Sequence, residues 1–566
     1  MSNKIKKEIT AIIQKFVGKE IEVVLTEPPN VEMGDFSWAV FEWAKKKKKN
    51  PPQLAQEIST EINKNLGKYK ILRGVQAVGP YLNIFVDQEK LTKETLGAKL
   101  RAKKNQGKVA LDVFQANPLK IFHIGHLRNA VLGESIRRLL KFSGYQTVTY
   151  SYSGDVGIHV ARWLWYFKNF YQGKIPQEDF TKWAGEIYTK ACVKMTEKEE
   201  YQQAVAEINR LLDKRDRKII KLWRDLTKKS YQASWQIAKE LACRVDHSFP
   251  ESVCEKPGKK YIEQKIKQGK IKQDQGAWVV DLKKYKLGVF ILLKSDGTAL
   301  YQTKDYGLAE LRRKKIKNFD KCLFVVGEEQ NFYFQQLFKS MEVLKYPGWQ
   351  KNEHLAHGLV SLKEGKMASR LGNVIAYDDL RDQTIKKVLA EMAKRNPRLK
   401  NKEEVAKKVA LGALKFSLLQ VDRLKSIKFD WQQALSFEGN SGPYLQYTYA
   451  RIKSIERKAK KNRNTKTQKH KIDYGLLSNV AEVRLIKTLG KFEEAISNAG
   501  ESYQPAVIAN YLLDLAAEFN HFYHQCQVLD PEHLEISRAR LVLITKVAEV
   551  LEQGLDLLGI EVVEEM

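Results

Sequence analysis

Cysteine is scarce in this chain of 566 residues. The five present (Cys192, Cys243, Cys254, Cys322 and Cys526) are odd in number, scattered, and include no Cys-x-x-Cys pair. That spacing argues against a disulfide framework and a structural zinc site, so no zinc is expected. Long apolar runs are also missing. Nothing approaches the roughly 20 residues that cross a bilayer, and the opening Met1-Ser-Asn-Lys-Ile-Lys-Lys7 lacks the apolar core of a secretion signal. A soluble, cytoplasmic protein without a membrane partner is expected. Acidic side chains are in deficit, 67 against 98 basic ones, for a net charge of +31. An imbalance of that size points to a polyanionic partner, with nucleic acid the default and a generally lysine-rich proteome the alternative. No internal repeat is visible.

There is ample material for folded cores, since 43% of residues are hydrophobic and 10% aromatic. One core is too few at this length, and about three or four domains are expected. Residues 1–104 read as a small α+β unit. A helix near Lys4–Val17 leads through Val23–Leu25 and Glu32–Phe36 to a second helix over Trp38–Lys49. Asn50-Pro51-Pro52 closes that helix, and Pro52 can open the next. Val75–Val86 alternates as a half-buried strand pair. The lysine run Lys45–Lys49 reads equally as a solvated helix end and as an RNA-facing patch. Residues 105–375 show strand signals at 109–114, 146–152, 278–282, 289–293, 322–327 and 355–362, separated by helical stretches. The pattern predicts an α/β domain on a parallel sheet. A helical insertion near 159–242 interrupts it, with aromatics at helical spacing that read mostly as core. Residues 376–435 form a helical connecting region and 436–566 an all-α domain. Arg457–Lys471, basic and without apolar periodicity, reads as a flexible loop.

The most informative stretch is Phe114–Asn129. Val109–Phe114 reads as a buried strand, and apolar positions from Leu127 to Leu140, with a stop at Gly144, read as a helix. His123 and His126 therefore stand at a strand-to-helix turn, three residues apart and facing the same way. Gly125 between them lets a flat ring or a phosphate approach the backbone. A helix N-terminus favours anions, and two imidazoles there can hydrogen-bond phosphate oxygens as charge builds on them.

His123-Ile-Gly-His126 is the literal signature of class I aminoacyl-tRNA synthetases. With Asn117-Pro-x-Lys120 before it and Leu127-Arg-Asn129 after it, the segment resembles the arginyl-tRNA synthetases in particular. Lys366-Met-Ala-Ser-Arg370 resembles the second class motif, a Lys-Met-Ser-Lys-Ser loop, about 240 residues downstream. The likeness covers nearly the whole chain. Met33–Phe36 and Val78–Pro80 resemble the family's N-terminal additional domain, whereas Phe437–Tyr447, Phe519–His524 and Leu557–Ile560 resemble its helical anticodon-binding domain. The resemblance implies a Rossmann-type catalytic domain with helical insertions between those two. It also implies that the first unit contacts the tRNA elbow and the last the anticodon. Tyr444, Tyr447, Tyr449, Phe522 and Tyr523 are candidates to stack on bases, with helical core the commoner use of such residues.

The resemblance also implies a substrate and a chemistry. Arginine is a planar cation with five donors, so its site should offer carboxylates and flat aromatic faces. Glu251, Tyr301 and Asp305 stand at the matching positions for the guanidinium, and Asn117 and Gln330 for the amino-acid end. ATP with Mg²⁺ would be bound by His123, Gly125, His126, Lys366 and Met367. The arginine carboxylate attacks the α-phosphate, pyrophosphate leaves, and a terminal ribose hydroxyl of the cognate tRNA then takes the arginyl group. His123, His126, Lys120, Lys366 and Arg370 are the implied catalytic set, and a monomer is expected. The chain departs from the family pattern in three places. Ser369 replaces the loop's second lysine, which leaves Lys120 and Arg370 to compensate; Val156 and His159 replace Trp and Gln; Tyr333 stands where histidine is common.

Two other readings compete. One is a smaller nucleotidyltransferase with the same His-x-Gly-His turn, such as a pantothenate synthetase; the other is a non-catalytic tRNA-binding relative. A long helical C-terminal region and the basic excess speak against the first, and intact motif residues against the second. If Lys120 serves the reaction, Lys120→Ala lowers kcat further than substitution of a distant surface lysine; equal effects would mark it as merely exposed.

Overall fold

The computed structural model describes residues 3–99, 106–362, 375–461 and 472–566. The chain begins with α1 (Asn3–Val17), β1 (Phe36–Ala39), α2 (Phe41–Lys47), α3 (Pro51–Lys64), β2 (Leu72–Val78), β3 (Tyr81–Val86) and α4 (Gln88–Gly97). The strands form an antiparallel sheet in the order β1-β3-β2, backed by α3. The helix expected from Trp38 starts later, because Phe36 and Trp38 are spent on β1. Both are buried, and their two-residue spacing suits a strand. Three lysines of the basic run close α2, and Lys48 follows in the left-handed region at φ 52°.

A parallel five-stranded sheet follows, in the order β11-β10-β4-β5-β6. β4 (Lys108–Asp112) runs into α5 (Ile124–Phe142) and β5 (Gln146–Ser153). The predicted insertion is four helices: α6 (Ile158–Phe170), α7 (Phe180–Met195), α8 (Glu199–Asp213) and α9 (Arg217–Glu240). They pack around Trp163, Leu164, Ile187 and Leu226. Next come β6 (His247–Pro250) and α10 (Glu251–Lys267). β6 was not anticipated; it is a four-residue edge strand ending in proline, too short to show a period. β7 (Lys272–Asp274), β8 (Ala277–Asp281) and β9 (Val289–Leu293) make a separate antiparallel ribbon. Two of these strands were expected to alternate with helices in the α/β pattern. The links between them are too short for a parallel crossover, which takes a dozen or more residues.

The main sheet is completed by α11 (Tyr301–Ile316), β10 (Lys321–Gly327), α12 (Asn331–Val343) and β11 (Asn352–His357). Val109, Ala110 and Leu111 of β4 are wholly buried, as befits the centre of a covered parallel sheet. Strand order reverses between β4 and β10, so a crevice opens beyond their carboxyl ends.

β12 (Val360–Leu362) pairs in parallel with β13 (Ile427–Phe429), past α13 (Tyr377–Arg395) and α14 (Lys402–Leu419). The remainder is helical: α15 (Trp431–Ala434), α16 (Gly442–Lys461), α17 (Val480–Leu489), α18 (Phe492–Ser502), α19 (Pro505–Gln525) and α20 (Leu534–Leu557). The segment read as a loop from Arg457 is helical through Lys461, where its lysines sit favourably at a helix C-terminus. Its remainder lies outside the described residues. The carbonyls ending α20 are capped from the catalytic region: Ser135 Oγ donates to Leu557 O at 2.9 Å, Arg138 Nη1 to Asp556 O at 2.9 Å, and Lys415 Nζ to Gly559 O at 2.6 Å. A buried ion pair, Lys487–Asp35 at 2.6 Å, ties α17 to the N-terminal unit. Among the described residues no helix is long and apolar enough to cross a membrane.

Two helices pack unusually closely. α10 and α11 cross with Gly258 against Thr303 O and Gly307 against Cys254 O, where an added Cβ would overlap the facing carbonyl. Pro257, inside α10, removes one helical hydrogen bond at the crossing and lets the helix bend. Gly307→Ala is therefore expected to destabilise the protein by about 1–3 kcal/mol or more. Gly97→Ala, in open space, should be close to neutral. Urea unfolding midpoints of the two variants measure the difference.

Candidate active site

A cavity of about 860 Å³ fills the crevice. Its walls come from residues just past the strand ends: Asn117 after β4, Gly154 after β5, Glu251 after β6, Gln330 after β10, and His357 closing β11. His123, Gly125 and His126 line one end, while Asn117, Glu251, Tyr301, Asp305 and Gln330 line the other. Lys120 stands behind the wall, its ammonium over the Tyr188 ring at 5.5 Å. Lys366, Met367 and Arg370 lie outside the described residues.

The signature turn is a helix cap built from two histidines. His123 is the N-cap of α5; its Nδ1 accepts from Gly125 N at 3.1 Å, and the His126 Nδ1 accepts from His123 N at 3.3 Å. This is the reciprocal arrangement that Ser and Glu make in an ordinary capping box. It has a chemical consequence. With both Nδ1 atoms accepting, each neutral ring carries its proton on Nε2 and offers one donor to the cavity. Burial, reinforced by the Lys120 charge, pushes His123 down to about 4. Burial, then His123 and Lys120, holds His126 well below the usual range. The pair therefore works at neutral pH as hydrogen-bond donors without charge.

A run of rings supports the turn from below. His123 stacks on His126 at 3.8 Å, His126 on Phe122 at 5.3 Å, Phe122 on Phe114 at 5.4 Å, and Phe114 on Trp235 of α9 at 5.8 Å. Leu119, just before the turn, is held in the left-handed region at φ 62°. It is buried, and its N–H donates to Ser230 Oγ of α9 at 3.0 Å. The turn also grips the chain on both sides of residues 363–374. Ile124 N donates to Ile375 O at 3.1 Å and Tyr377 N to Phe122 O at 2.8 Å. On the other side, Arg128 donates to the carbonyls of Gly358 (2.5 Å) and Leu359 (3.1 Å), and it also reaches those of Arg423 (3.1 Å) and Lys425 (2.9 Å) further along the chain.

At the opposite end two carboxylates meet under the tyrosines. Glu251 is the first residue of α10, whose N-terminus is capped from just past β5: Asp155 accepts from Ser252 N at 2.9 Å and Oγ at 2.6 Å. A helix N-terminus is a favourable seat for a carboxylate. Lys304 Nζ pairs with Glu251 Oε2 at 2.9 Å. Asp305 lies one turn into α11 and accepts a hydrogen bond from Tyr333. Burial raises Asp305 to about 7, against the Tyr333 hydrogen bond that favours its charge; the Glu251 charge raises it further. Asp112, at the end of β4, is pushed up to about 8, chiefly by burial. Asn117 Oδ1 accepts from Gly154 N at 2.7 Å, which orients its amide with the NH₂ left for other partners.

The departures noted in the sequence find places here. His159 bonds Gly154 O at 3.0 Å and braces the end of β5. Tyr333 is at the heart of the carboxylate end. Lys304, Asp112, Tyr152 and His357 were not anticipated. Asp112 had a signal, as a carboxylate inside an apolar strand; His357 and Tyr152 had none, since single residues at strand ends look like any others. Among the described residues no three His, Cys, Asp or Glu side chains converge as a metal site.

Comparison with known proteins agrees with this geometry. The family model for the catalytic domain of class I (R) tRNA synthetases matches residues 88–431. That for the arginyl-tRNA synthetase N-terminal domain matches 3–86, and the DALR anticodon-binding domain matches 445–566. An arginine–tRNA ligase of Clostridium perfringens is 34% identical, covering 99% of this chain and 100% of that protein. One of Clostridioides difficile is 31% identical, over 100% and 99%. The arginyl-tRNA synthetase of Thermus thermophilus superposes with a TM-score of 0.82 at 27% identity, covering both chains fully. With its catalytic region matched and relatives above 30% identity along its length, the chain belongs to the arginyl-tRNA synthetases.

Proposed function

We propose that this protein attaches L-arginine to its cognate tRNA in two steps, formation of arginyl-adenylate from ATP and transfer to the terminal ribose. The observation that carries this reading is a single cavity with uncharged imidazole donors at one end and two carboxylates beneath tyrosines at the other. The first end suits phosphates and the second a planar cation. Glu251 and Asp305 would take the guanidinium, with Tyr301 against its face. The free amide NH₂ of Asn117 suits a substrate carboxylate oxygen, and Gln330, at the rim, suits the α-amino group.

His123 and His126 would donate through Nε2 to the phosphates as charge gathers on them. Being neutral, they leave charge compensation to cations: Lys366 and Arg370 of the loop motif, and Lys120 from behind the wall. Magnesium would arrive on the ATP phosphates, as is usual where no protein cage exists. The N-terminal unit is assigned to the tRNA elbow and residues 436–566 to the anticodon. In that last region Tyr449 and Phe522 are core residues, whereas Tyr523 is 39% exposed with Arg451 over its ring, leaving it the better candidate to meet a base. The protein is taken to act as a cytoplasmic monomer.

Aminoacylation with total tRNA and each amino acid in turn tests the reading: arginine alone should be charged. No charging of any amino acid would favour the non-catalytic alternative. Asp305→Ala should raise the arginine KM in tRNA-supported ATP–pyrophosphate exchange, with kcat less affected; an unchanged KM removes Asp305 from the pocket. The pH dependence has a definite sign. Asp305 must be ionised to hold a cation and takes up a proton near pH 7 in the empty site. Arginine KM should therefore rise as pH falls below about 7, by up to roughly tenfold per unit. Asp305→Asn should flatten that slope. Exchange should require tRNA, and full exchange without it would contradict the assignment.

A further inference from the structure

Asp305 has unusual company for a carboxylate meant to meet a cation. Glu251 faces it from α10 and raises it by its charge, and Asp112, pushed toward its neutral form, lies at the end of β4; Arg312 and Tyr301 lie on its own helix, Tyr152 on β5 and Tyr333 on α12. Cys254 of α10, a neutral thiol, is nearby. Glu251 already has Lys304 as an internal counter-cation. Asp305 instead has a phenol: Tyr333 Oη donates to its Oδ2. Of everything that favours charge on Asp305, this bond is the largest, ahead of Tyr152 and Arg312.

Tyr333 is well fixed for the task. It is the third residue of α12, its ring 5.0 Å from Tyr301 and 6.0 Å from Phe290, and the next residue, Phe334, stacks on His354 at 4.3 Å. Burial, then the Asp305 charge, holds its hydroxyl far above the range in which a phenol ionises. It therefore donates a hydrogen bond without adding or removing charge. A cationic donor here would neutralise Asp305 and stand in for the substrate, as Lys304 does at Glu251.

We propose that Tyr333 is a positioning residue for the substrate cation: its hydroxyl occupies Oδ2 of Asp305 and keeps that carboxylate ionised with Oδ1 left for the guanidinium, while its ring backs Tyr301. This rests on the reading of Asp305 as a guanidinium partner. Tyr333→Phe removes the donor and keeps the ring. Asp305 then holds its proton to higher pH, so the loss is confined to arginine binding and grows as pH falls.

The test is the arginine KM of the full-length enzyme in tRNA-supported exchange between pH 6 and 9. Tyr333→Phe should raise KM about fivefold at pH 7 and close to tenfold at pH 6, with kcat within about twofold and the KM–pH curve displaced upward by about one unit, as follows from losing a hydrogen bond to a charged group. Tyr333→His, whose imidazole is mostly neutral and donating at pH 7, should return KM there to within about twofold of the parent. A KM–pH curve for Tyr333→Phe that superimposes on the parent's, or that is raised equally at every pH, overturns the proposal. If Tyr333→Phe fails to fold, Tyr333→His carries the test: an arginine KM at pH 7 about fivefold or more above the parent's overturns it, and one within about twofold supports it. Asp305→Ala separates the two failures. An unmoved KM there removes the pocket reading itself, whereas a raised KM there beside an unshifted Tyr333→Phe curve removes only the role of Tyr333.

Discussion

The contact on which the pocket depends is the crossing of α10 and α11 at Gly258 and Gly307. Glu251 begins one helix, and Tyr301 and Asp305 lie on the first turns of the other. The separation of the two carboxylates is thus set by how closely the helices approach. Glycine at both contact points lets backbone meet backbone; any side chain would push the helices apart and open the carboxylate pair. The rest of the architecture holds this crossing in place. Asp155 caps α10 from just past β5, and Thr303 Oγ1 fixes α11 to Leu292 O at 2.6 Å. Arg312, buried near the far end of α11, donates to Tyr150 Oη at 3.2 Å and Asn352 Oδ1 at 2.9 Å. The helix bearing Asp305 is therefore tied to two strands of the sheet that carries the other end of the site.

The signature turn solves a different problem. An imidazole can serve as a charge or as a donor, and the fold selects the second. By giving both Nδ1 atoms to backbone N–H groups, the turn commits each ring to one tautomer and one direction, and burial removes the charged form. The same backbone hydrogen bonds satisfy two of the free N–H groups that open any helix, so stabilising α5 and orienting the donors are one event. Arg128, reaching four carbonyls from the next turn, ties these donors to the strand before residues 363–374, and Ile375 ties them to the chain after it. The two class motifs are joined through the backbone on either side, although they stand about 240 residues apart in sequence.

Much of this was legible in the sequence, for identifiable reasons. The strand-to-helix turn at Asn117–His126 is punctuated by proline and glycine and followed by a long periodic helix, so its place could be read locally. The residues proposed for the guanidinium could be named only through family likeness, because Glu251, Tyr301 and Asp305 look ordinary in their own windows and meet only across a helix crossing. The antiparallel ribbon was misplaced because β8 and β9 have the composition of core strands; the short links between them carried the correction. The capping box went unseen because it is written in histidine rather than serine and glutamate. Lys304 and Tyr333 act through contacts with residues brought in by other elements, and no spacing rule reaches them.

The empty pocket is already electrically furnished, and that bears on selectivity. Lys304 pairs with Glu251, Tyr333 holds Asp305, and Asp112 is pushed toward its neutral form, so each of these three carboxylates has an internal response. A cationic ligand must therefore offer more than charge. An ammonium reaching Glu251 exchanges one monodentate partner for another and gains little over the lysine already there. A guanidinium presents a planar fork that can engage Oδ1 of Asp305 and the free oxygen of Glu251 together while lying against Tyr301. On the proposed reading, discrimination comes from geometry more than from charge. It would be weaker in a pocket of bare carboxylates, where any cation would gain from charge alone. A site that leaves its buried polar groups unpaired with the wrong ligand can reach high selectivity without a second, editing site. The glycine crossing again bears on whether it does, since it sets the separation of the two carboxylates.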